Sequence, residues 1–123
     1  MAELKKKSLE ATFTQKRGWG YEKWIENLPE YCGKILHITE GKRGSLHFHI
    51  NKMETMLLTM GKVTLRFVDC DTAKEYFVRL EVGDSIRIPR GQPHQIIAEE
   101  ESEIIEFSTM HEEDDSRRIQ KGD

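Results

Sequence analysis

At 123 residues, with 37% hydrophobic and 33% charged side chains, the chain has material for one domain with a thin core, which suits β structure better than a thick helical bundle. A net charge of −3 and a pI near 6.0 give no electrostatic reason to expect nucleic acid or an anionic membrane as partner. No apolar run approaches the ~18 residues of a spanning helix, and the opening MAELKKKSLE lacks the apolar stretch of a signal peptide, so a cytoplasmic protein is expected.

In chain order, residues 1–10 are polar and basic and read as a flexible tail. Residues 11–111 hold the folded domain. From Gly20 onward short β-type runs alternate with turn residues: YEKWIEN, CGKILHIT, SLHFHI, ETMLLTM, KVTLRFVD, KEYFVRL, DSIRIP, HQIIAE and SEIIEFST. Such spacing, punctuated by Gly, Asp and Pro, predicts an all-β sandwich or barrel. Met60-Gly61-Lys62 and Asp69-Cys70-Asp71 are expected to turn hairpins. The charged C-terminal segment 112–123 holds the one helix candidate, over 112–121, and reads equally well as an extended tail. Cys32 and Cys70 form no CxxC and are expected to be free thiols.

Two of the five histidines fall in SLHFHI. Side chains on a strand alternate faces, so Ser45, His47 and His49 share one face while Leu46, Phe48 and Ile50 share the other. After a short turn Glu54 begins the next run, and Met56, Leu58 and Met60 should line the same interior. A carboxylate beside two imidazoles above an apolar floor is a plausible first shell for a divalent cation. A further ligand is expected from GDSIRIPRGQPHQIIA, where Pro89 and Gly91 force a turn and His94 opens the following strand. The apolar stripe of Leu46, Phe48 and Ile50, with Leu57 nearby, calls for a cover, either an N-terminal strand or a second copy in a homodimer.

Together these stretches resemble the cupin superfamily. Gly41, His47, His49, Glu54 and Gly61 match its first motif, and Gly83, Pro89, Gly91 and His94 match its second, whose final Asn is Ala98 here. The resemblance implies a double-stranded β-helix, or jelly-roll, barrel. It also implies one divalent transition metal (Mn, Zn, Fe, Co or Ni) held by His47, His49, Glu54 and His94.

The flanks KRGWGYEKWIEN, GKILHITEG and IIEFSTMHEEDDSRRI look like the cupin domain of type II phosphomannose isomerases, through Arg17, Trp19, Gly20, Lys34, Glu106, Asp114, Asp115 and Arg118. Those enzymes are usually fused to a nucleotidyltransferase domain, so a stand-alone relative is expected. The activity implied is isomerisation of a sugar phosphate or sugar through an enediolate held on the metal. Glu106 is the candidate base, with Lys34 next; on an outer face Glu106 would instead be a solvated carboxylate. Arg118 and Arg90 are candidate phosphate contacts, and Trp19 either caps the barrel or stacks on a sugar ring. The same ligands serve an Fe(II)-dependent cupin dioxygenase, and a non-catalytic sugar or small-molecule binding module is a third reading. His37 is expected to be structural, His111 exposed, and Met53, Met56 and Met60 to pack the barrel.

Overall fold

Alternating apolar residues between turn signals do what their period demands, and the chain is almost entirely strand. The structure, a computed structural model, describes residues 3–123; Met1 and Ala2 of the expected tail lie outside the described residues. A single 3-10 turn at Leu9–Ala11 is capped by Ser8, whose hydroxyl accepts from Ala11 N–H. The strands are β1 (Phe13–Arg17), β2 (Gly20–Asn27), β3 (Cys32–Ile38), β4 (Leu46–His49), β5 (Glu54–Met60), β6 (Val63–Val68), β7 (Glu75–Leu80), β8 (Ser85–Ile88), β9 (His94–Ala98), β10 (Ser102–Ser108) and β11 (Ser116–Gln120). No helix among the described residues is long and apolar enough to cross a membrane.

Two antiparallel sheets face each other in the manner of a jelly roll, in the orders β1-β2-β3-β10-β5-β8 and β11-β4-β9-β6-β7. In the first sheet β10 lies between β3 and β5, with Ile104 opposite both Leu36 and Leu58. These three, with Ile38, Val63, Leu65, Leu80 and Ile88, are buried and pack as one cluster between the layers. Gly61 makes the β5–β6 hairpin possible. Its φ of 87° is left-handed, and a Cβ there would run into Glu101 and Ser102.

Several expectations change. Two strands carry no clear alternating signal and went unread, β1 and β11. Residues 116–120, expected as helix or tail, pair with β4 and close the edge of the second sheet. Met60 does not line the interior: the β5–β10 register shifts beside it and leaves it 39% exposed. Met53 is likewise exposed, and of the three methionines only Met56 is buried. The expected outward stripe is mostly covered, since Leu46 is buried and Phe48 half-buried, leaving Ile50 exposed. Cys32 is a buried free thiol and Cys70 an exposed one.

His37 lies outside the cavity, as expected of a structural residue, and is held between two carboxylates. It stacks on Tyr21 at 4.9 Å, with Nδ1 3.0 Å from Glu103 Oε2 and Nε2 2.6 Å from Glu101 Oε2. Carboxylates only accept, so both ring nitrogens carry protons. Burial alone would lower the pKa, but the two carboxylates outweigh it and raise it above 6.5. The folded state then binds this proton more tightly than the unfolded chain. The stabilisation is complete below the ordinary value and lost as pH rises through the raised one. Melting temperature should fall across that rise in the wild type and not in His37→Gln; equal pH slopes in the two proteins would dismiss the clamp.

Candidate metal centre

The first histidine pair follows from strand alternation. β4 presents His47 and His49 to the space between the sheets, and β9 begins with His94 directly opposite His47. The turn before β9 is fixed to the first pair by the backbone: Gly91, at φ 79°, donates its N–H to His49 O at 2.7 Å. One ring nitrogen from each of His47, His49 and His94 lies within 4.8 Å of the others.

Two of the three rings are oriented by a partner outside this cluster. His94 Nδ1 is 2.8 Å from Gln92 O, and His47 Nδ1 is 3.1 Å from Ser45 O and 3.0 Å from Ser45 Oγ. A carbonyl oxygen only accepts, so Nδ1 of both rings carries a proton, which leaves the His47 Nε2 lone pair free for a cation; at His94 burial opposes the charge, but the Glu54 carboxylate outweighs it and raises the pKa. Burial, then the neighbouring His94, lowers the His47 pKa to about 4. Burial, then the Lys52 ammonium, lowers that of His49 to about 3. Both are neutral and ready to ligate at ordinary pH.

Glu54, 2% exposed on β5, brings Oε1 to 2.9 Å from His94 Nε2. The distance is that of a hydrogen bond but the angle is not. Both Glu54 oxygens and His94 Nε2 are therefore buried without a well-formed hydrogen bond, although Glu54 Oε2 is ion-paired to Lys52. Such orphans are costly unless something satisfies them. Three imidazoles with a carboxylate are a donor set that a divalent transition metal fits.

Behind these residues lies a chain of buried charges that sequence reading only partly found. Lys52, 4% exposed, places Nζ 3.3 Å from Glu54 Oε2 and 3.1 Å from Glu106 Oε2. Glu106 faces inward on β10 and is 4% exposed, so the solvated alternative does not hold. Burial, then the Glu54 charge, pushes its pKa up. Burial opposes the Lys52 charge too, but the two carboxylates outweigh it and hold the ammonium above its ordinary pKa. Lys34 sits beside Glu106 on β3, its Nζ 3.5 Å from Glu22 Oε1, 3.2 Å from His111 Nδ1 and 3.9 Å from the centre of the Trp24 ring.

A cavity of about 550 Å³ is lined by His47, His49, Glu54, Lys52, Glu106 and Lys34 among others. Trp19 lines it too, half-buried against the core, and exposed Arg118 reaches it from β11, opposite His47. Arg90 does not line it: it is exposed, with Nε donating to Asn51 O at 2.7 Å. His111, expected in solvent, is half-buried in the cavity wall, where burial and Lys34 lower its pKa to about 4. Lys52, Glu22 and His111 were missed as site residues. Only Lys52 had a signal, since strand alternation read backward from Glu54 puts it on the same face.

Protein as purified should carry about one transition metal per chain by elemental analysis, and His94→Ala should lose it. Metal at ~100 times its dissociation constant should also stabilise the wild type by about 2.7 kcal/mol. Absence of metal from both proteins after reloading would reject the centre.

No curated protein matches the chain by sequence. Among solved structures it is similar to oxalate decarboxylase from Bacillus subtilis (an E162A mutant), with TM-score 0.79 and 19% identity, over 97% of this chain and 34% of that one. It is also similar to the capsular polysaccharide assembling protein CapF from Staphylococcus aureus, with TM-score 0.80 and 16% identity, over 89% of this chain and 32% of that one. The chain thus spans about a third of the length of these structures, and at such identities the likeness is one of fold. The cupin domain profile matches residues 34–110, more than half of the chain and all four of the residues gathered around Glu54 and the imidazoles. By fold, by sequence profile and by the placement of its histidines, the chain belongs to the cupin family.

Proposed function

We propose that the chain is a metal-dependent isomerase that interconverts the aldose and ketose forms of a small sugar or sugar phosphate. One observation carries this reading: the inward Glu106 carboxylate, buried in the cavity and linked through Lys52 to Glu54 beside the imidazoles. His47, His49 and His94, with Glu54, would hold a divalent metal that supplies Lewis acidity to adjacent carbonyl and hydroxyl oxygens.

The remaining work falls to the chain's own side chains. Glu106 takes the proton from C2 of the aldose and returns it to C1 while the O2 hydroxyl proton passes to O1, and its raised pKa brings it closer to the operating pH. Lys52 orients that carboxylate and balances its charge. Lys34 holds the next position along the wall, near enough to Glu106 to steady charge that develops on the substrate. Trp19 offers an aromatic face to the sugar, and the buried walls limit competing water.

We also propose that two chains pair through the outer face of the six-stranded sheet. There Ile35, Ile105 and Leu57 lie side by side in register, next to Phe107, which is 53% exposed. Light scattering at micromolar concentration should return twice the chain mass; the mass of a single chain would reject the pairing.

With the metal restored, a panel of aldose phosphates and free aldoses should show isomerisation with solvent deuterium entering at the exchanged carbon. Glu106→Gln should lose about 10²–10⁴-fold in kcat while keeping its metal. Oxygen consumption by the iron-loaded protein in place of isomerisation would favour a dioxygenase. Tight sugar binding without turnover, unaffected by Glu106→Gln, would leave a binding module.

A further inference from the structure

His111 stands in the cavity wall with both its backbone and its ring held in place. The two ends of the Asn27 carboxamide bind its peptide: His111 N–H donates to Asn27 Oδ1 at 2.8 Å, and Asn27 Nδ2 donates to His111 O at 3.1 Å. The ring lies edge to face on Trp24, which in turn donates its indole N–H to Glu22 Oε1 at 2.8 Å. Lys34, 2% exposed, completes the cluster, with Nζ 3.2 Å from His111 Nδ1 and 3.5 Å from Glu22 Oε1.

This packing decides which nitrogen carries the proton. An ammonium only donates, so Nδ1 accepts from Lys34 and the single ring proton is on Nε2. Burial disfavours a second proton, and so do Lys34 on β3, Lys52 in the β4–β5 turn and Arg17 on β1; Glu22 on β2 only partly opposes them. His47 thus offers the cavity a lone pair, whereas His111 offers it a proton. That N–H has no hydrogen-bond acceptor among the described residues. Glu113 Oε1 is 3.8 Å from Nε2, beyond hydrogen-bond range, on a side chain that is 90% exposed. The His111 side chain itself is only 14% exposed. A fixed, neutral donor of this kind discriminates by position rather than by charge: a ligand that lacks the matching oxygen leaves it unpaired.

We infer that His111 is a ligand-contacting, specificity-determining residue whose Nε2–H donates to one uncharged hydroxyl or carbonyl oxygen of the molecule bound in the cavity. Lys34 touches His111 and stands opposite Glu106 across β3 and β10, so this oxygen is separate from the atoms that Glu106 serves. That the oxygen belongs to a sugar rests on the isomerase reading; the tautomer and the donor do not.

Long-range proton–nitrogen NMR spectra of the full chain at neutral pH should show His111 with Nδ1 bare and Nε2 protonated, assigned by the signals that His111→Phe loses. Pentitols, hexitols and their deoxy analogues are the binding probe, since they carry the hydroxyls of a sugar and cannot isomerise. At least one alditol should shift the Nε2–H signal saturably, and deletion of one particular hydroxyl should weaken its binding about tenfold. His111→Phe, which keeps a ring against Trp24, should bind the parent alditol about tenfold less tightly and the deoxy analogue as the wild type does. His111→Gln, whose amide restores a donor, should recover part of the loss, and Glu113→Ala should change neither signal nor binding. A proton on Nδ1, an Nε2–H signal that no alditol moves, equal alditol affinity in wild type and His111→Phe, or a signal that moves in Glu113→Ala would overturn the inference. Alditol binding that needs His111, in a protein that isomerises no aldose, would leave the inference standing and remove the isomerase reading. Isomerisation with KM unchanged in His111→Phe would do the reverse.

Discussion

The structure depends on an alternating series of buried charges. Glu22, Lys34, Glu106, Lys52 and Glu54 are each 7% exposed or less, and they run in order of sign across the inner face of the six-stranded sheet. An isolated ion in such a place costs several kcal/mol, and removal of one partner from a buried pair typically costs about 3–5 kcal/mol. Three carboxylates face two ammoniums inside the series, and a third cation comes from outside it. Arg17 reaches the Glu22 end from the surface, and the Glu54 end meets three imidazoles. A cation among those imidazoles would satisfy the buried Glu54 and His94 atoms that make no hydrogen bond.

This arrangement also explains why the last strand is integral to the barrel. Asp115, just before β11, accepts from the N–H groups of Ile50 at 3.0 Å, Asn51 at 2.7 Å and Lys52 at 2.9 Å. Burial opposes the charge, yet these three donors hold its carboxyl below the usual range. The turn from β4 to β5 would otherwise present unpaired donors between His49 and Glu54. One carboxylate, that of Asp115, fixes the turn that carries Lys52 and spaces β4 from β5. Such support fixes His49 and Glu54 relative to one another through the backbone.

What could be read from sequence follows from how local each signal is. The nine strand runs were visible because alternation and turn residues are local properties, and the histidines were visible because their spacing is fixed by strand period. β11 was not, since SRRIQ is exposed throughout and owes its conformation to pairing with β4. Met60 was misplaced by a register shift, which no alternation pattern announces. Lys52 was overlooked because a lysine in a turn is ordinarily solvated; only the positions of Glu54 and Glu106 make its burial favourable. His111 is another long-range case, drawn inward by Lys34 and by Trp24, whose ring lies 4.7 Å away edge to face.

The same register that assembles the charges separates them from the core. Across β3 and β10, Lys34 stands opposite Glu106; one inward step along, Leu36 stands opposite Ile104 and Ile104 opposite Leu58. On β5 the sequence of inward residues is Glu54, Met56, Leu58. Each inner strand of this sheet is therefore polar at one end and apolar at the other, and antiparallel pairing brings like ends together. The apolar end can be packed without voids, where the hydrophobic contribution is greatest. The polar end can then tolerate a cavity and unsatisfied atoms at a cost the other end offsets. A one-residue slip of β10 would turn Glu106 outward and Phe107 inward, emptying the site and disrupting the core together. Register thus couples the stability of this barrel to the arrangement of polar groups at its open end.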